Sequence, residues 1–304
     1  MIRPTPLKAG DSIGYIATSG PIVLERLKPA IKVLENQGFN IVLGDSCTLQ
    51  HGYLAGSDEI RAQDVNDMFR NSDIKGIFVI RGGYGAARIL DKIDFDLIKN
   101  NPKPFFGYSD VTILHIAFNQ ICNMMTYHTP MPTTELYKDI DKFTLNSYRK
   151  MMFSSNIKGR IYNPRKKKIK CLVPGKTMGQ LIGGNLSLIC STLGTKYEIN
   201  TKGKILFIEE IGEEPYKIDR MIMQLIQAHK IDDCNGIIFG YFTDCEATNL
   251  RCSLSVEEVL KELIVPFQKP CITKFACGHK LPTVSIPMGA NALLDSSRKI
   301  IEII

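Results

Sequence analysis

The sequence predicts an α/β protein that begins with a doubly wound, mostly parallel sheet. Over the first 130 residues, short apolar runs rich in β-branched residues alternate with helix-like segments, which is typical of strands joined by crossover helices. After about residue 140 this alternation stops, and a different α/β pattern begins near residue 177. A chain of 304 residues is also long for one domain. We therefore expect a second domain that is smaller, of α/β type and rich in strands at its end.

The order of elements sets the expected domain boundaries. In the first domain, residues 1–140, strands are predicted at 12–17, 39–43, 76–80, 104–107 and 124–128, and helices at 23–37, 58–71, 85–93 and 110–120. Residues 141–176 are polar, Lys-rich and interrupted by prolines, so we predict a linker there. In the second domain, residues 177–304, strands are predicted at 204–209, 236–240, 271–275, 283–286, 292–294 and 299–304, and helices at 217–229 and 255–264.

The composition excludes several classes of protein. No apolar run reaches the roughly 18 residues that span a bilayer, and the first residues lack the layout of a secretory signal. We therefore expect a cytoplasmic protein with no membrane partner. The net charge is +7, and the densest basic run, Arg165-Lys166-Lys167-Lys168-Ile169-Lys170, carries no interleaved aromatic residues, so a solvated segment is favoured over a nucleic-acid site.

The nine cysteines do not indicate a disulfide framework or a metal centre. Their number is odd, their spacing is irregular, and no Cys-x-x-Cys pair occurs. His-x-x-x-His spacing is missing as well. We expect reduced, mostly buried cysteines and neither a metal nor a cofactor.

A first candidate site is the turn Gly107-Tyr108-Ser109-Asp110, where a buried strand runs directly into a helix. Unpaired N–H groups at a helix N-terminus favour developing negative charge, which is the logic of a nucleophile elbow. The Gly-x-Ser-x-Gly pattern is absent, however. From these residues alone, a helix N-cap is the favoured interpretation of Ser109.

A second candidate is the sequence Arg81-Gly82-Gly83-Tyr84-Gly85, which we call the glycine turn. Its glycines allow close backbone approach and present N–H donors, which suits an oxyanion hole or a carboxylate cradle. A purely structural turn is an equal alternative. A dinucleotide site is disfavoured because Arg88 stands where the third glycine should be, and because residues 17–21 after the first strand lack phosphate-binding glycines.

Two further strand ends carry residues suited to catalysis. Glu209 ends an apolar strand, where a carboxylate could orient a histidine, although Glu210 and Glu213 are close enough to be confused with it. His279 follows Gly278 and is the best placed of the five histidines for a general base. A catalytic Cys277 paired with His279 is disfavoured, since side chains so close on an extended segment rarely meet.

Taken in order, these segments resemble the serine LD-carboxypeptidase family, also called muramoyltetrapeptide carboxypeptidases. The resemblance covers nearly the whole chain and rests on Leu7-Lys8-Ala9-Gly10-Asp11, Ala17-Thr18-Ser19-Gly20, Gly52-Tyr53-Leu54-Ala55-Gly56, Arg61, the glycine turn, Gly107-Tyr108-Ser109-Asp110, Gly183-Gly184-Asn185-Leu186, the strand ending in Glu209 and Gly278-His279.

The resemblance implies a hydrolase with a Ser–His–Glu triad: Ser109 as nucleophile, His279 as general base and Glu209 as the residue that orients it. Backbone N–H groups of Asp110 and Gly83 would form the oxyanion hole, and we place Gly82, Tyr84 and Arg81 among the substrate-binding residues. The first domain would supply the serine and the second the other two members. The implied reaction, part of peptidoglycan (cell wall) recycling, removes terminal D-alanine from cytoplasmic murein tetrapeptide, with a homodimer expected.

Two alternatives remain open at this point. One branch of the family hydrolyses microcin-type peptidyl nucleotides and carries a longer, aromatic-bearing loop after the catalytic glutamate; the short segment 212–216 resembles the murein-recycling branch instead. The other alternative is a non-catalytic ligand-binding protein on the same scaffold.

Overall fold

The computed structural model describes residues 1–248 and 252–304. The chain divides into two compact units. The first consists of Met1–Asn156 and Ser285–Met288, and the second consists of Ile157–Val284 and Gly289–Ile304. The predicted α/β class is confirmed. Within the described ranges, no helix has both the length and the apolar character needed to cross a membrane.

The first unit is built on a six-stranded sheet, counted over the described residues. Its strands are β1 (Ser12–Ile16), β2 (Asn40–Leu43), β3 (Ile74–Val79), β4 (Phe105–Gly107), β5 (Thr126–His128) and β12 (Ile286–Met288). Their order is β12-β5-β4-β3-β1-β2, with β1 to β5 parallel and β12 antiparallel at the edge. Central strands β3 and β4 are almost entirely buried, which explains their near-continuous apolar sequence.

Helices connect these parallel strands as the alternating sequence pattern predicts. They are α1 (Leu27–Glu35), α2 (Asp58–Arg70), α3 (Ala86–Ile89), α4 (Phe95–Asn100) and α5 (Thr112–Gln120). A π-helix at Pro132–Leu136 and α6 (Lys142–Phe153) follow β5. The side chain of Ser57 caps α2 by accepting a hydrogen bond from the Ile60 N–H. Stacked rings of Phe78 and Phe106, 4.3 Å between centroids, lie in the core.

The second unit contains an eight-stranded sheet in the described residues. Its strands are β6 (Gly159–Ile161), β7 (Lys170–Val173), β8 (Lys176–Asn185), β9 (Ile205–Ile211), β10 (Gly236–Thr243), β11 (Cys271–Thr273), β13 (Asn291–Asp295) and β14 (Ile300–Ile303). The order is β6-β14-β13-β8-β9-β10-β11-β7, and the four strands from β8 to β11 are parallel. Its helices are α7 (Leu186–Ser191), α8 (Pro215–Gln227), α9 (Lys230–Asp233) and α10 (Val256–Ile264).

Two expectations about organisation need correction. The segment 141–176 is not a linker, because it contains α6, β6 and β7; Tyr148 and Met152 of α6 are buried in the first unit. The C-terminal region 177–304 is also not wholly one domain, because β12 pairs with β5 in the first sheet. Burial of α6 side chains decides the first point, and backbone pairing between distant strands decides the second.

The cysteines are all free, as predicted. Seven of them are buried, Cys171 is half-buried and Cys252 is exposed. They act mainly as small apolar core residues.

Candidate active site

Ser109 lies at the junction of β4 and α5 in a strained conformation. Its φ is +68°, which is uncommon for a residue other than glycine. The residue is partly exposed. The N-cap of α5 is Val111, and no side-chain hydrogen bond caps the helix. Ser109 is therefore not the N-cap of α5, and its strained φ is of the kind that clusters at functional sites.

The glycine turn packs directly against Ser109 within the first unit. A Cβ added to Gly82 would lie 2.9 Å from Cβ and 3.0 Å from Oγ of Ser109, so only glycine allows this approach. The Gly82 carbonyl accepts a hydrogen bond from Gly20 N–H at 3.1 Å. Gly83 has φ +119°, where a side chain would be strained. No Cβ therefore separates the backbone of Gly82 from Ser109.

The candidate substrate-binding residues of this turn differ in exposure. Tyr84 is 53% exposed, and its ring lies 5.9 Å from that of Tyr53, which is 66% exposed. Arg81 is half-buried, and its guanidinium donates a hydrogen bond to the Pro21 carbonyl. Tyr84 and Tyr53 therefore present exposed aromatic surface at the glycine turn, whereas part of the Arg81 guanidinium is engaged by the backbone.

A tyrosine–glutamate contact that sequence reasoning missed anchors the residue before the serine. The Tyr108 hydroxyl donates to Oε1 of Glu135 at 2.6 Å, and Oε2 accepts from Met131 N–H at 2.9 Å. Glu135 belongs to the π-helix, a form frequent at functional sites. The two residues lie 27 positions apart, and no local sequence signal links them.

In the second unit, His279 and Glu209 form a close polar contact. Nδ1 of His279 lies 2.6 Å from Oε2 of Glu209. The glutamate side chain is fully buried, while the imidazole keeps 10% exposure. A carboxylate beside Nδ1 favours the tautomer with its proton on Nδ1, and Nε2 then carries the lone pair that a general base needs.

Glycines on both sides make this contact possible. A Cβ on Gly278, whose φ is +128°, would lie 2.7 Å from Oε2 of Glu209. A Cβ on Gly240 would lie 2.4 Å from the Cys277 carbonyl oxygen and 3.2 Å from Cβ of Glu209. The glycine that precedes His279 in the sequence therefore leaves room for the carboxylate.

The neighbouring glutamates make other contacts. Glu210 is buried and accepts hydrogen bonds from Asn185 Nδ2 at 2.7 Å and from Ser187 N–H and Oγ at 2.8 and 2.6 Å. Glu213 pairs with Lys217 at 2.9 Å. Of these three carboxylates, Glu209 is therefore the one placed to orient His279.

Cys277 is unsuited to act as a nucleophile. The residue is fully buried, and burial together with the Glu209 charge raises the pKa of its thiol well above the ordinary value. A thiol held protonated is a poor nucleophile.

A cleft of about 830 Å³ opens within the second unit, near the carboxyl ends of parallel strands β10 and β11. Gly240 and Tyr241 contribute to its lining, as does Lys280, the residue after His279. Carboxyl ends of parallel strands are the usual ligand-binding edge of a sheet. Its size suits a small peptide or similar ligand.

Comparison with known proteins assigns the chain to a family. Residues 13–129 match the LD-carboxypeptidase N-terminal domain, and residues 178–294 match the LD-carboxypeptidase C-terminal domain. A Bacillus subtilis protein named "probable murein peptide carboxypeptidase" is 41% identical over 298 residues, covering 98% of this chain and 92% of the relative.

Two solved structures are similar over nearly their whole length. Microcin C7 self-immunity protein MccF, in complex with aspartyl sulfamoyl adenosine, has a TM-score of 0.92 at 25% identity and covers 100% of this chain and 98% of its own. Muramoyltetrapeptide carboxypeptidase from Oxalobacter formigenes has a TM-score of 0.85 at 26% identity, and the match covers 96% of this chain and 97% of the carboxypeptidase chain. The fold is thus that of two-domain carboxypeptidase-type hydrolases. The chain belongs to the LD-carboxypeptidase family.

Proposed function

We propose that the protein is a serine-type LD-carboxypeptidase. Its substrate would be murein tetrapeptide, cleaved between the L-centre of a diamino acid and the terminal D-alanine. The observation that carries the proposal is the 2.6 Å contact between His279 and buried Glu209, since it orients a base in a family of carboxypeptidases. The family resemblance further supports a cytoplasmic homodimer that needs neither metal nor cofactor.

The roles of the residues follow from their chemistry. Nε2 of His279 takes the proton from Oγ of Ser109 as that oxygen attacks the scissile carbonyl. The resulting oxyanion is held by the N–H groups of Asp110 and Gly83, and Glu209 stabilises the imidazolium that forms. Collapse of the tetrahedral intermediate breaks the C–N bond, and His279 protonates the leaving amine of D-alanine. Water then repeats the sequence on the acyl-enzyme.

Substrate contacts are assigned to the glycine turn and its neighbours. Gly82 allows the turn to pack against Ser109, and Tyr84, two residues further along the turn, has an exposed ring that a substrate could contact. Arg81 would attract the terminal carboxylate of the peptide, with that part of its guanidinium that does not contact Pro21.

The length of the loop after Glu209 supports the murein substrate. Strand β9 ends at Ile211 and α8 begins at Pro215, so residues 212–214 alone connect them. The family resemblance leads us to expect a longer, aromatic-bearing loop at this place in the microcin-type branch. In this chain, the described connection between β9 and α8 is only three residues long and contains no such loop.

The decisive test is release of D-alanine from defined tetrapeptides, followed by mass spectrometry for the native protein and Ser109→Ala. The variant should lose activity by about three orders of magnitude or more while keeping its fold. Hydrolysis that persists undiminished in Ser109→Ala would remove the proposed nucleophile. Absence of activity in the native protein towards both tetrapeptides and an aminoacyl-sulfamoyl adenosine would instead favour a ligand-binding role.

A second candidate substrate is a peptidyl nucleotide. It is favoured by the TM-score of 0.92 to MccF bound to aspartyl sulfamoyl adenosine. Turnover of an aminoacyl-sulfamoyl adenosine should be compared with that of the tetrapeptide under the same conditions. Activity confined to the adenosine compound would replace the murein substrate in the proposal and leave the catalytic residues unchanged.

A further inference from the structure

The first unit contains a fully buried arginine that the proposed reaction does not use. The side chain of Arg61, on α2, is completely inaccessible. Its Nη1 donates to two carbonyl oxygens, of Thr18 at 2.5 Å and of Gly85 at 2.9 Å, while Nη2 pairs with Asp58. A buried guanidinium is costly unless it is paired and hydrogen-bonded. Arg61 thus ties the loop after β1 to the end of the glycine turn.

The residue after Ser109 binds the same peptide unit from its other side. Oδ2 of buried Asp110 accepts a hydrogen bond from the Ala86 N–H at 2.7 Å. The carbonyl of the Gly85–Ala86 peptide is therefore held by Arg61 and its N–H by Asp110. Because Asp110 adjoins Ser109, its carboxylate couples the position of the serine to that of the turn.

Gly85 is the residue that lets the arginine reach this peptide. Its φ is +135°, and an added Cβ would lie 2.8 Å from Nη1 of Arg61 and 2.7 Å from a methyl of Leu54. The guanidinium of Arg61 can therefore occupy this position only because residue 85 of the turn is a glycine.

We propose that Asp110 and Arg61 are positioning residues for the oxyanion hole. Their side chains clamp the Gly85–Ala86 peptide and thereby hold the Gly83 N–H at a fixed distance from Ser109. This inference rests on the proposed function, because it assigns the glycine turn to the oxyanion. It adds a side-chain role for Asp110 to the backbone role given above.

The test compares Asp110→Ala with Asp110→Asn. The asparagine keeps a carbonyl oxygen that can accept from the Ala86 N–H, whereas alanine removes the acceptor. Asp110→Ala should lower kcat for tetrapeptide hydrolysis by roughly ten- to a hundredfold with little change in KM, since misplacement of about 1 Å has effects of this size. Asp110→Asn should restore most of kcat with the native pH profile.

A second readout reports on the oxyanion hole without the peptide. A fluorophosphonate probe reacts with an activated serine, whose Oγ forms a bond to phosphorus as the P–F bond breaks and fluoride leaves. The phosphoryl oxygen of the tetrahedral adduct then occupies the oxyanion site. Its second-order rate of labelling at Ser109 should fall in Asp110→Ala by about the same factor as kcat. Arg61→Lys should behave like Asp110→Ala, because a single ammonium replaces the two nitrogens with which the guanidinium bonds both carbonyls (Nη1) and Asp58 (Nη2).

Asp64→Ala is the matched control. Asp64 is also a buried aspartate of the first unit whose carboxylate accepts backbone N–H bonds, from Ser46 at 2.8 Å and Asp45 at 3.1 Å. Its loss should reduce stability but leave kcat of the folded enzyme within about threefold. The control separates loss of a buried hydrogen bond from loss of the clamp.

The outcomes distinguish this inference from the proposed function. If Ser109→Ala is inactive but folded Asp110→Ala keeps native kcat and labelling rate, the clamp is wrong and the triad stands. If Asp110→Asn shifts the pH profile of kcat, the carboxylate takes part in proton transfer, which also overturns a positioning role. If Ser109→Ala stays active, the proposed function fails first. If Arg61→Lys does not fold, the comparison of Asp110→Ala with Asp110→Asn decides whether the clamp exists.

Discussion

Oε2 of Glu209 lies 2.6 Å from Nδ1 of His279, and the next carboxylate along the strand, Glu210, faces a different set of donors. Successive side chains of a strand point to opposite faces of the sheet, which is why two adjacent glutamates have unrelated partners. One strand of the second unit thereby supports both the candidate acid–base pair and the buried connection to Asn185.

Glu209→Gln and Glu210→Gln should have different consequences. Glu209→Gln keeps the shape but removes the charge that orients the imidazole, and loss of kcat by about 10³- to 10⁴-fold is expected by analogy with triads. Glu210→Gln places an amide N–H₂ among groups that already donate to the carboxylate. It should therefore lower the unfolding temperature while leaving kcat of the folded enzyme close to the native value. Steady-state kinetics and thermal unfolding of both variants check this. Equal kcat for Glu209→Gln and the native enzyme would contradict it.

Gly278→Ala should displace His279 without unfolding the protein. The new Cβ would lie 2.7 Å from Oε2 of Glu209, so the carboxylate or the imidazole must move, and kcat should fall by roughly a hundredfold. Gly159→Ala is a suitable control, because Gly159 also has a positive φ, +109°, but no atom lies within 4 Å of an added Cβ. Loss of kcat in both variants to the same extent would point to backbone strain alone.

Gly82→Ala tests the approach of the glycine turn to the serine. The added Cβ would meet Cβ and Oγ of Ser109 at 2.9 and 3.0 Å, so we expect kcat/KM to fall by about tenfold or more as the turn or the serine shifts. Gly10→Ala adds the same methyl group where no atom lies within 4 Å. Fluorophosphonate labelling at Ser109 should slow in the first variant and stay near native in the second.

Much of the fold could be predicted because its signals are local. Strands β3 and β4 are central, and every residue in them except Lys75 is buried, so their sequences are nearly continuously apolar. Strand β8 was missed because its glycines disfavour strands in general. At Gly183 an added Cβ would lie 2.0 Å from the Phe207 carbonyl, so packing of β8 against β9 requires the glycine. Such a requirement is visible only when both strands are in place.

The candidate site was predictable where it is contiguous in sequence. Ser109 with Asp110, the glycine turn, and Gly278 with His279 each form a short recognisable segment. The contacts of Arg61 with Gly85, and of Glu135 with Tyr108, join residues 24 and 27 positions apart and carry no pattern of their own. The choice of Glu209 over Glu210 depended on which face of β9 meets the histidine.

The core histidine His115 should make stability depend on pH. It is fully buried on α5, a ring nitrogen hydrogen-bonds to the Gly107 carbonyl at 2.9 Å, and burial lowers its pKa to about 4. The unfolded chain binds a proton at this residue near pH 6.5. Between pH 6.5 and 4 the unfolded state therefore binds more protons, and stability falls as the pH falls, by at most about 1.4 kcal/mol per pH unit.

Comparison of the native protein with His115→Gln isolates this contribution, since a glutamine amide can still donate to the Gly107 carbonyl. The free energy of unfolding in urea, followed by circular dichroism at several pH values, should have a smaller slope in the variant between pH 6.5 and 4.5. His229→Asn, at a side chain that is 78% exposed, should keep the native slope. Identical slopes in His115→Gln and the native protein would mean that His115 is protonated equally in the folded and unfolded states, contrary to its burial against Gly107 of β4.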